Sequence, residues 1–552
     1  MRRFLRLIFL PIFIFLCILK VDAQEKTVTG KVFGDNNQTL AGATIRIKGT
    51  TRFTQTDASG SFSIKANEGE TVEISHVGYE ESSFKIGDSN SISVSLKTSA
   101  STMSEVTVVA MDIKRNPKEL GYSAQKVAGD QIAQTQRVNF LNSLQGRVAG
   151  LSIVPTSGAA GASSQLVLRG FNSLTLNNQP LFIVDGVILD NSTLNETSNG
   201  GTSLGLASDR ANRTSDYTNR IADLNPADIE TVTILKGPEA TALYGSQASS
   251  GAVVITTKKA VPGRTSIQYD NNFRASFVTR YADLNNDYTI GNNGVATTTP
   301  PTSVGSTTYF GPSYPEGTKK YDNINNFFRT GFTQTHNLTA DFGTKNAGFR
   351  LTSSYYDENG VIPNNEFTKF NVRLANTTKI GKYVSVSPAF QYIYSINDKP
   401  IRGAGGYLLD LYDWPANNDV RNYVDAKGYK TRILATDFNT EVDNPLFSVH
   451  NNHGQDKTDR YLATLGIDVN PWNWLTVAGR FGYDHYYQRG YSIYHPMSYY
   501  YSAATGGYLD DYYRNYNGYN HTITATAHKN FGKFAVRLML GTMYQDYETK
   551  MW

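Results

Sequence analysis

Residues 224–259, LNPADIETVTILKGPEATALYGSQASSGAVVITTKK, place short helix, strand, helix, Gly-rich corner and strand in one compact run. Asn225-Pro226 starts the first helical turn, because Asn satisfies free N–H groups and Pro tolerates the first helical position. Residues 232–235 form an apolar, β-branched run stopped by Gly237-Pro238. Residues 239–244 predict one or two helical turns closed by Gly245, and residues 252–257 predict a second buried strand.

Upstream, Val138, Leu141, Leu144 and Val148 recur at helical spacing and predict one face to bury against a sheet. Ile153-Val154 and Leu166-Val167-Leu168 predict strands around the loop 156–164. That Gly-rich loop lacks the Gly-Lys-Ser/Thr ending and the following helix of a phosphate cradle. Residues 181–184 and 187–189 flank Asp185-Gly186, a strong signal for a two-residue hairpin turn.

Taken together, 143–174 (SLQGRVAGLSIVPTSGAAGASSQLVLRGFNSL), 177–190 (NNQPLFIVDGVILD) and 224–259 resemble the plug domain of TonB-dependent outer-membrane transporters, most closely the SusC/RagA branch. The resemblance implies a mixed α/β plug over 116–262, lodged inside a barrel. Its signature would lie at Arg169, Gly170, Asp185, Gly186, Lys236, Gly237, Tyr244, Gly245 and Gly251. It further implies that the basic groups at Arg169 and Lys236 pair with carboxylates of the barrel wall. Lys at 236 weakens that second pairing, since an ammonium cannot bind a carboxylate bidentately. Gln247 also departs from the Arg common in this branch.

Beyond residue 263 the pattern changes. Of 35 tyrosines, 31 lie there, with all four tryptophans, which suits aromatic girdles at two membrane–water interfaces. Ile267, Tyr269, Phe273, Ala275 and Phe277 alternate with Gln268, Asp270, Asn272, Arg274 and Ser276. The same alternation recurs at Phe349, Leu351 and Tyr355, at Val384, Val386, Phe390 and Tyr392, and at Leu475, Val477, Phe481 and Tyr483 against Thr476, Arg480 and Asp484. One face suits lipid and the other a wet lumen. Tight turns at 380–382, 470–473 and 530–533 trade places with long polar stretches near 280–333, 397–457 and 485–520. Twelve tyrosines between Tyr486 and Tyr519 are therefore expected in an outer loop. Roughly nine strands can be counted, whereas a plugged transporter barrel has about 22. Residues 263–552 thus predict part of a barrel, and the chain reads as the N-terminal portion of a longer protein.

Before the plug, residues 1–23 read as a secretory signal: Arg2, Arg3 and Arg6 precede an apolar run too short to span a membrane. The single cysteine, Cys17, falls within it, so a mature chain has no disulfide or thiol chemistry. Residues 24–98 are short alternating strands between turn clusters, a small β-sandwich. With LAGATIRIKGT, TDASGSFSI and HVGYE they resemble the carboxypeptidase-regulatory-like extension of SusC-type transporters, which carries no peptidase activity. Asp57 and Ser59 are assigned to a turn rather than a calcium site. The linker 99–115 holds Glu105, Val106, Thr107, Val108 and Val109, an extended run positioned as a TonB box. Such a run binds by adding a strand to a partner's sheet edge.

The expected fold class is mainly β: a small β-sandwich extension, a mixed α/β plug and a partial antiparallel transmembrane β-barrel. The near balance of 52 basic and 48 acidic residues gives no nucleic-acid footprint. His450, His453 and Asp456 have loosely metal-like spacing in a polar stretch with no helix to fix both rings, so no metal, cofactor or catalytic residue is assigned. The resemblance implies import of oligosaccharides or peptides across the outer membrane of a Gram-negative cell. Its partners would be TonB, a SusD-like surface lipoprotein and outer-membrane lipid. A ligand-sensing receptor and a surface adhesin using the tyrosine-rich loops are the alternatives.

Overall fold

The computed structural model describes residues 26–552 except 35–37, 51, 77–78, 80, 88–90, 97–106, 109–113, 116–123, 138, 173–177, 193–215, 217, 264, 298–307, 402–405, 436, 500–505 and 533. The expected signal segment, Glu105, Val106 and Val109 lie outside the described residues. The chain divides into two compact units, 1–105 and 106–552.

In the first unit, β1 (Lys26–Phe33) pairs antiparallel with β4 (Ser61–Ala66) and parallel with β7 (Ser91–Ser95). A second sheet runs β3 (Phe53–Gln55), β2 (Thr44–Ile47), β5 (Thr71–Ser75) and β6 (Ser82–Lys85). Alternate residues Val28, Val32, Ile45, Ile47, Val72 and Ile74 are fully buried in one shared core, as period-2 patterning requires. Asp57 Oδ1 accepts from Ser59 N, Ser59 Oγ and Ser61 N, which makes the segment a turn.

The second unit begins with a two-residue ladder in which β8 (Thr107–Val108) pairs with β9 (Lys114–Arg115). A mixed sheet follows in the order β10 (Ala124–Ala128), β15 (Ile229–Leu235), β16 (Ala252–Thr257), β13 (Leu181–Val184) and β14 (Val187–Leu189). The hairpin of β11 (Leu151–Pro155) and β12 (Ser164–Leu168) and the short helices α1 (Gly129–Ala133) and α2 (Pro238–Tyr244) complete this body. Its local rules are visible in the chain. Asn225 Oδ1 accepts from Ala227 N at 3.1 Å, and Asp185 and Gly186, at φ 50° and 84°, form the primed turn that Asp-Gly predicts. The helical face expected over 138–148 shrinks to a 3-10 turn, Phe140–Leu144, although Leu141, Leu144 and Val148 are buried as expected. Gly146 and Gly150, at φ 74° and 71°, turn the chain away before a longer helix can form.

The remaining chain builds one antiparallel sheet of nine strands. In order these are β17 (Ser266–Ser276), β20 (Gly331–Gly343), β21 (Ala347–Asn359), β22 (Glu366–Ile380), β23 (Val384–Pro400), β24 (His453–Trp472), β25 (Leu475–Tyr494), β26 (Tyr508–Phe531) and β27 (Phe534–Met551). The pair β18 (Gly291–Asn292) and β19 (Val295–Ala296) lies within the first long connection. Leu351, Phe370, Leu374, Phe390 and Ile523 are exposed on one face, while Thr352, Asn371, Arg373, Arg460 and Asp484 are buried on the other against the mixed body. Aromatic side chains pair across strands on the exposed face, as in Phe342–Phe349 at 5.4 Å and Tyr483–Tyr519 at 5.0 Å.

Short connections at 344–346, 381–383, 473–474 and 532–533 alternate with longer ones at 277–330, 360–365, 401–452 and 495–507. Two expected loops are therefore corrected. The stretch 485–520 is mostly strand, interrupted only at 495–507, and β24 starts at His453 rather than after residue 457. Tyrosine causes the first error, because its apolar ring and polar tip suit both faces of a wall and blur the alternation.

The long connections fold on one another. Ile324 and Phe327 of α3 (Asn323–Phe327), Leu411 of α4 (Tyr407–Tyr412), Trp414, and Leu446 and Val449 of α5 (Pro445–Asn451) form a separate buried cluster. Asp443 ties it together: Oδ1 meets Lys430 Nζ at 2.6 Å and accepts from Tyr499 N at 3.0 Å, while Oδ2 accepts from Asn452 Nδ2 at 3.1 Å.

Candidate functional site

Charged side chains concentrate where the mixed body meets the sheet. The buried 3-10 turn Arg220–Asp223 presents Asp223, and adjacent wall strands present Arg460 and Asp484. Arg460 makes five hydrogen bonds, one for each guanidinium N–H. Nε and Nη2 grip Asp484 at 2.9 and 2.7 Å, and Nη1 reaches Asp223 Oδ2 at 2.9 Å and Arg220 O at 2.5 Å. Nη2 also donates to Asp190 O at 3.3 Å. The bidentate grip is available to Arg and not to Lys.

Asp190 ends the β14 hairpin and continues the network. Its Oδ2 accepts the Tyr486 hydroxyl at 2.6 Å and lies 3.7 Å from Arg514 Nη2. The guanidinium carbons of Arg220, Arg460 and Arg514 stand 5.9, 5.6 and 5.6 Å from the Tyr486 ring centroid, within cation–π range. Arg220, Arg460 and Arg514 match Asp190, Asp223 and Asp484 in number, so the buried cluster is neutral. Each charge lies in an ion pair, which offsets the cost of holding it away from water.

Neighbouring wall strands extend the polar contact. Lys369 Nζ donates to Ala222 O at 2.7 Å and Asn371 Nδ2 to Asp223 O at 3.2 Å, satisfying carbonyls at the end of the 3-10 turn. Arg373 Nη2 donates to Thr257 Oγ1 at 2.6 Å and Thr352 Oγ1 to Asp228 Oδ2 at 3.0 Å. Near the long connections, Asn365 Oδ1 accepts from Ala160 N at 2.6 Å. Apolar contact is also present: Ala160 packs with Tyr356 and Phe367, and Met543 lies against the cluster of Ile183, Leu235 and Tyr244. In the main core of the mixed body only Ile393 and Leu462 come from the wall.

The residues singled out in the sequence fall into several places. Asp185 accepts from Thr257 N at 2.9 Å and Thr257 Oγ1 at 2.6 Å, so it fastens the hairpin to β16. A Cβ on Gly186 would stand 3.2 Å from Arg480 Cγ, and one on Gly251 only 2.6 Å from Leu168 Cδ1 and 2.8 Å from Leu235 O. Tyr244 is buried beside Ala240 and Ala248, and Gly245 ends α2 at φ 76°. Lys236 Nζ donates to Gln125 Oε1 at 2.9 Å, inside the mixed body. Burial first, and then the nearby Arg169, pushes its amine below the usual lysine range. Arg169 sits beside Gly237 at φ 57° and is followed by Gly170 at φ 91°. Among the described residues neither Arg169 nor Lys236 meets a carboxylate of the nine strands. The ion pairs found there run the other way, with wall arginines holding carboxylates of the inner body. Of the box residues, Thr107 and Val108 lie in β8.

Asp456 pairs with Lys399, and His450 accepts from Asn364. Among the described residues no group of three His, Cys, Asp or Glu could hold a metal ion. Nothing in the sequence links Asp190 and Asp223 with Arg460 and Asp484, since Arg460 stands 237 positions after Asp223. The available signal was a run of charges at wall positions facing inward, such as Asp456, Arg460 and Asp484.

Known proteins share these parts. Residues 116–252 match the family described as TonB-dependent Receptor Plug Domain, and residues 28–108 match the CarboxypepD_reg-like domain. The TonB-dependent receptor SusC of Bacteroides thetaiotaomicron is 29% identical over 400 residues, covering 70% of this chain and 35% of that protein. TonB-dependent receptor P3 of Formosa agariphila is 22% identical over 552 residues, covering 98% of this chain and 50% of that protein. The chain therefore spans about a third to a half of the length of these relatives. Among solved structures, the RagAB peptide importer in its closed-closed state aligns at a TM-score of 0.59 and 20% identity, over 78% of this chain and 48% of that one. That likeness is one of fold.

Proposed function

As the chain belongs to the SusC/RagA type of TonB-dependent transporters, whose members are outer-membrane β-barrels, we propose that it takes part in TonB-driven import of large nutrients across the outer membrane. The cargo class is oligosaccharide or peptide, and the partners are TonB and a SusD-like surface lipoprotein. Residues 1–23 direct export, 24–98 form the extension, 99–115 the linker, 116–262 the plug and 263–552 barrel wall. Arg169, Gly170, Asp185, Gly186, Lys236, Gly237, Tyr244, Gly245 and Gly251 serve to shape that plug.

The observation that carries this reading is the polar seat of the plug. A permanent filling would be joined to its wall by apolar surface. This one is held through the Arg460–Asp223 contact and its neighbours. Glu105, Val106, Thr107, Val108 and Val109 are the segment TonB grasps by strand addition. The pairing of Thr107–Val108 with Lys114–Arg115 supports that role, since the segment already accepts a strand partner. The experiment is deletion of residues 104–110 in the full-length protein. Uptake stops while ligand binding survives; unchanged uptake removes the TonB assignment.

A further inference from the structure

Three stretches of the long connections, 284–288, 308–314 and 412–416, surround a cavity of about 350 Å³. Of its lining residues Trp414 is buried, Tyr309, Tyr314 and Tyr412 are half-buried, and Tyr288 and Phe310 are exposed. Small-molecule sites typically measure ~300–1,000 Å³, so the space suits one or two sugar rings.

The frame around the cavity is fixed. Asn323 is buried and donates from Nδ2 to Pro415 O at 3.2 Å and Asn418 O at 3.0 Å, while its Oδ1 accepts from Val420 N at 3.0 Å. The polar tips of the rings are engaged within the protein. Tyr309 donates to Asp413 O, Tyr314 to Asn417 Oδ1 at 3.2 Å and Trp414 Nε1 to Asn418 O at 3.1 Å. What these three rings leave for the cavity is mainly carbon surface. Asn285, Asn286 and Thr308 add neutral hydrogen-bonding groups, and among the described residues no charged one lines the space. Lys320, 5.5 Å from the Tyr314 ring centroid, is paired with Asp287 at 3.2 Å.

We propose that this cavity is a binding site for a neutral saccharide. A pyranose has a C–H face that packs on an aromatic ring and hydroxyls that suit carboxamide and hydroxyl groups. A charged sugar or peptide would lose water without gaining an opposite charge. An extended peptide needs an open strand edge for its backbone, and the walls here are side-chain rings. The assignment deepens the import reading, on which it rests, by naming neutral oligosaccharide as the cargo class.

The test is titration of the purified full-length protein with neutral α-glucan, β-glucan, β-mannan and β-xylan hexamers, and with neutral hexapeptides as the competing class. Tyr288→Ala/Phe310→Ala removes two exposed rings without opening the buried frame, and Phe53→Ala in the other unit is the control. At least one hexasaccharide binds the wild type and the Phe53 variant alike. The double variant binds it roughly 10-fold more weakly, as expected for the loss of two aromatic contacts. Absence of saccharide binding, binding unchanged in the double variant, or binding of the peptides alone overturns the assignment. Cargo uptake that still depends on TonB in the double variant leaves the import reading standing, whereas TonB-independent uptake in the wild type removes that reading whatever the cavity binds.

Discussion

Arg460 and Asp223, 237 positions apart in the chain, meet at 2.9 Å with both side chains buried. One belongs to the sheet and the other to the body it holds. Their contact is the centre of a neutral group of three arginines and three aspartates packed around Tyr486.

Replacing Arg460 with Met strands Asp223 and Asp484 without their main partner. Removing one member of a buried pair costs ~3–5 kcal/mol. Arg460→Met is therefore expected to lower the unfolding midpoint in detergent and to open residues 124–257 to limited proteolysis. Arg460→Lys restores a charge but not the fork, so it should fall between wild type and Met. Equal protease resistance in all three proteins would contradict the claim that this contact seats the plug.

Asp223→Asn keeps the shape of the side chain and removes its charge. The change leaves Arg220 and Arg460 underneutralised, so a loss of similar sign is expected. The double variant Arg460→Met/Asp223→Asn should cost less than the sum of the two single changes, because each already breaks the same bond. Additive losses in a denaturation cycle would mean that the residues do not act on one another.

Gly186→Ala tests the hairpin beside the seat. The new methyl group would lie 3.2 Å from Arg480 Cγ, and φ of 84° is unfavourable for any residue with a Cβ. A destabilisation of about 1 kcal/mol or more is expected, read as a shift in the denaturant midpoint with the sheet content unchanged.

Asp443→Asn should loosen the outer connections while sparing the sheet. Lys430 would be left fully buried beside a neutral amide, and the tie to Tyr499 would lose its charge. Faster hydrogen exchange is expected in 430–452 and 495–499, with strands β23 to β26 unaffected. Uniform exchange across the chain would show that Asp443 is not the tie between these segments.

Acid should act on the same region. Burial holds the imidazoles of His450 and His495 below their ordinary value of 6.5. His495 Nδ1 accepts from Met497 N at 3.1 Å and His450 Nδ1 lies 2.9 Å from Asn364 Nδ2, contacts that a proton on Nδ1 abolishes. Because the folded value is depressed, this stabilisation is complete above about pH 6.5 and is lost as pH falls through the folded value. Protection of amides in 445–452 and 495–499, corrected for the intrinsic pH dependence of exchange, is expected to fall between pH 7.5 and 5, and His495→Asn should flatten that response.

Legibility in the sequence followed the reach of the interaction. Asp185-Gly186, Asn225-Pro226 and the strand 252–257 are local features, and each appears where neighbouring residues require it. The nine wall strands were countable because period 2 is also local. Strand ends were harder. Tyr486 and Tyr487 look alike in sequence, yet one is buried against the plug and the other is exposed. The seat itself was hidden: Arg460 and Asp484 lie far along the chain from Asp223, and only long-range pairing gives them a role. Arg169 and Lys236 drew attention for their positions in a motif, while the carboxylates of Asp190 and Asp223 carry the contact.

Among the described residues the main core of the plug closes largely upon itself, with Ile393 and Leu462 its wall members. Oily surface uncovered by movement has nothing in water to replace what it loses, but a carboxylate or guanidinium can exchange its partner for solvent. A pull along the axis would thus wet a set of polar bonds one after another while the interior of the moving piece stayed dry. The resistance to such a pull is divided among many replaceable contacts, so force can shift the piece as a solid without first melting it.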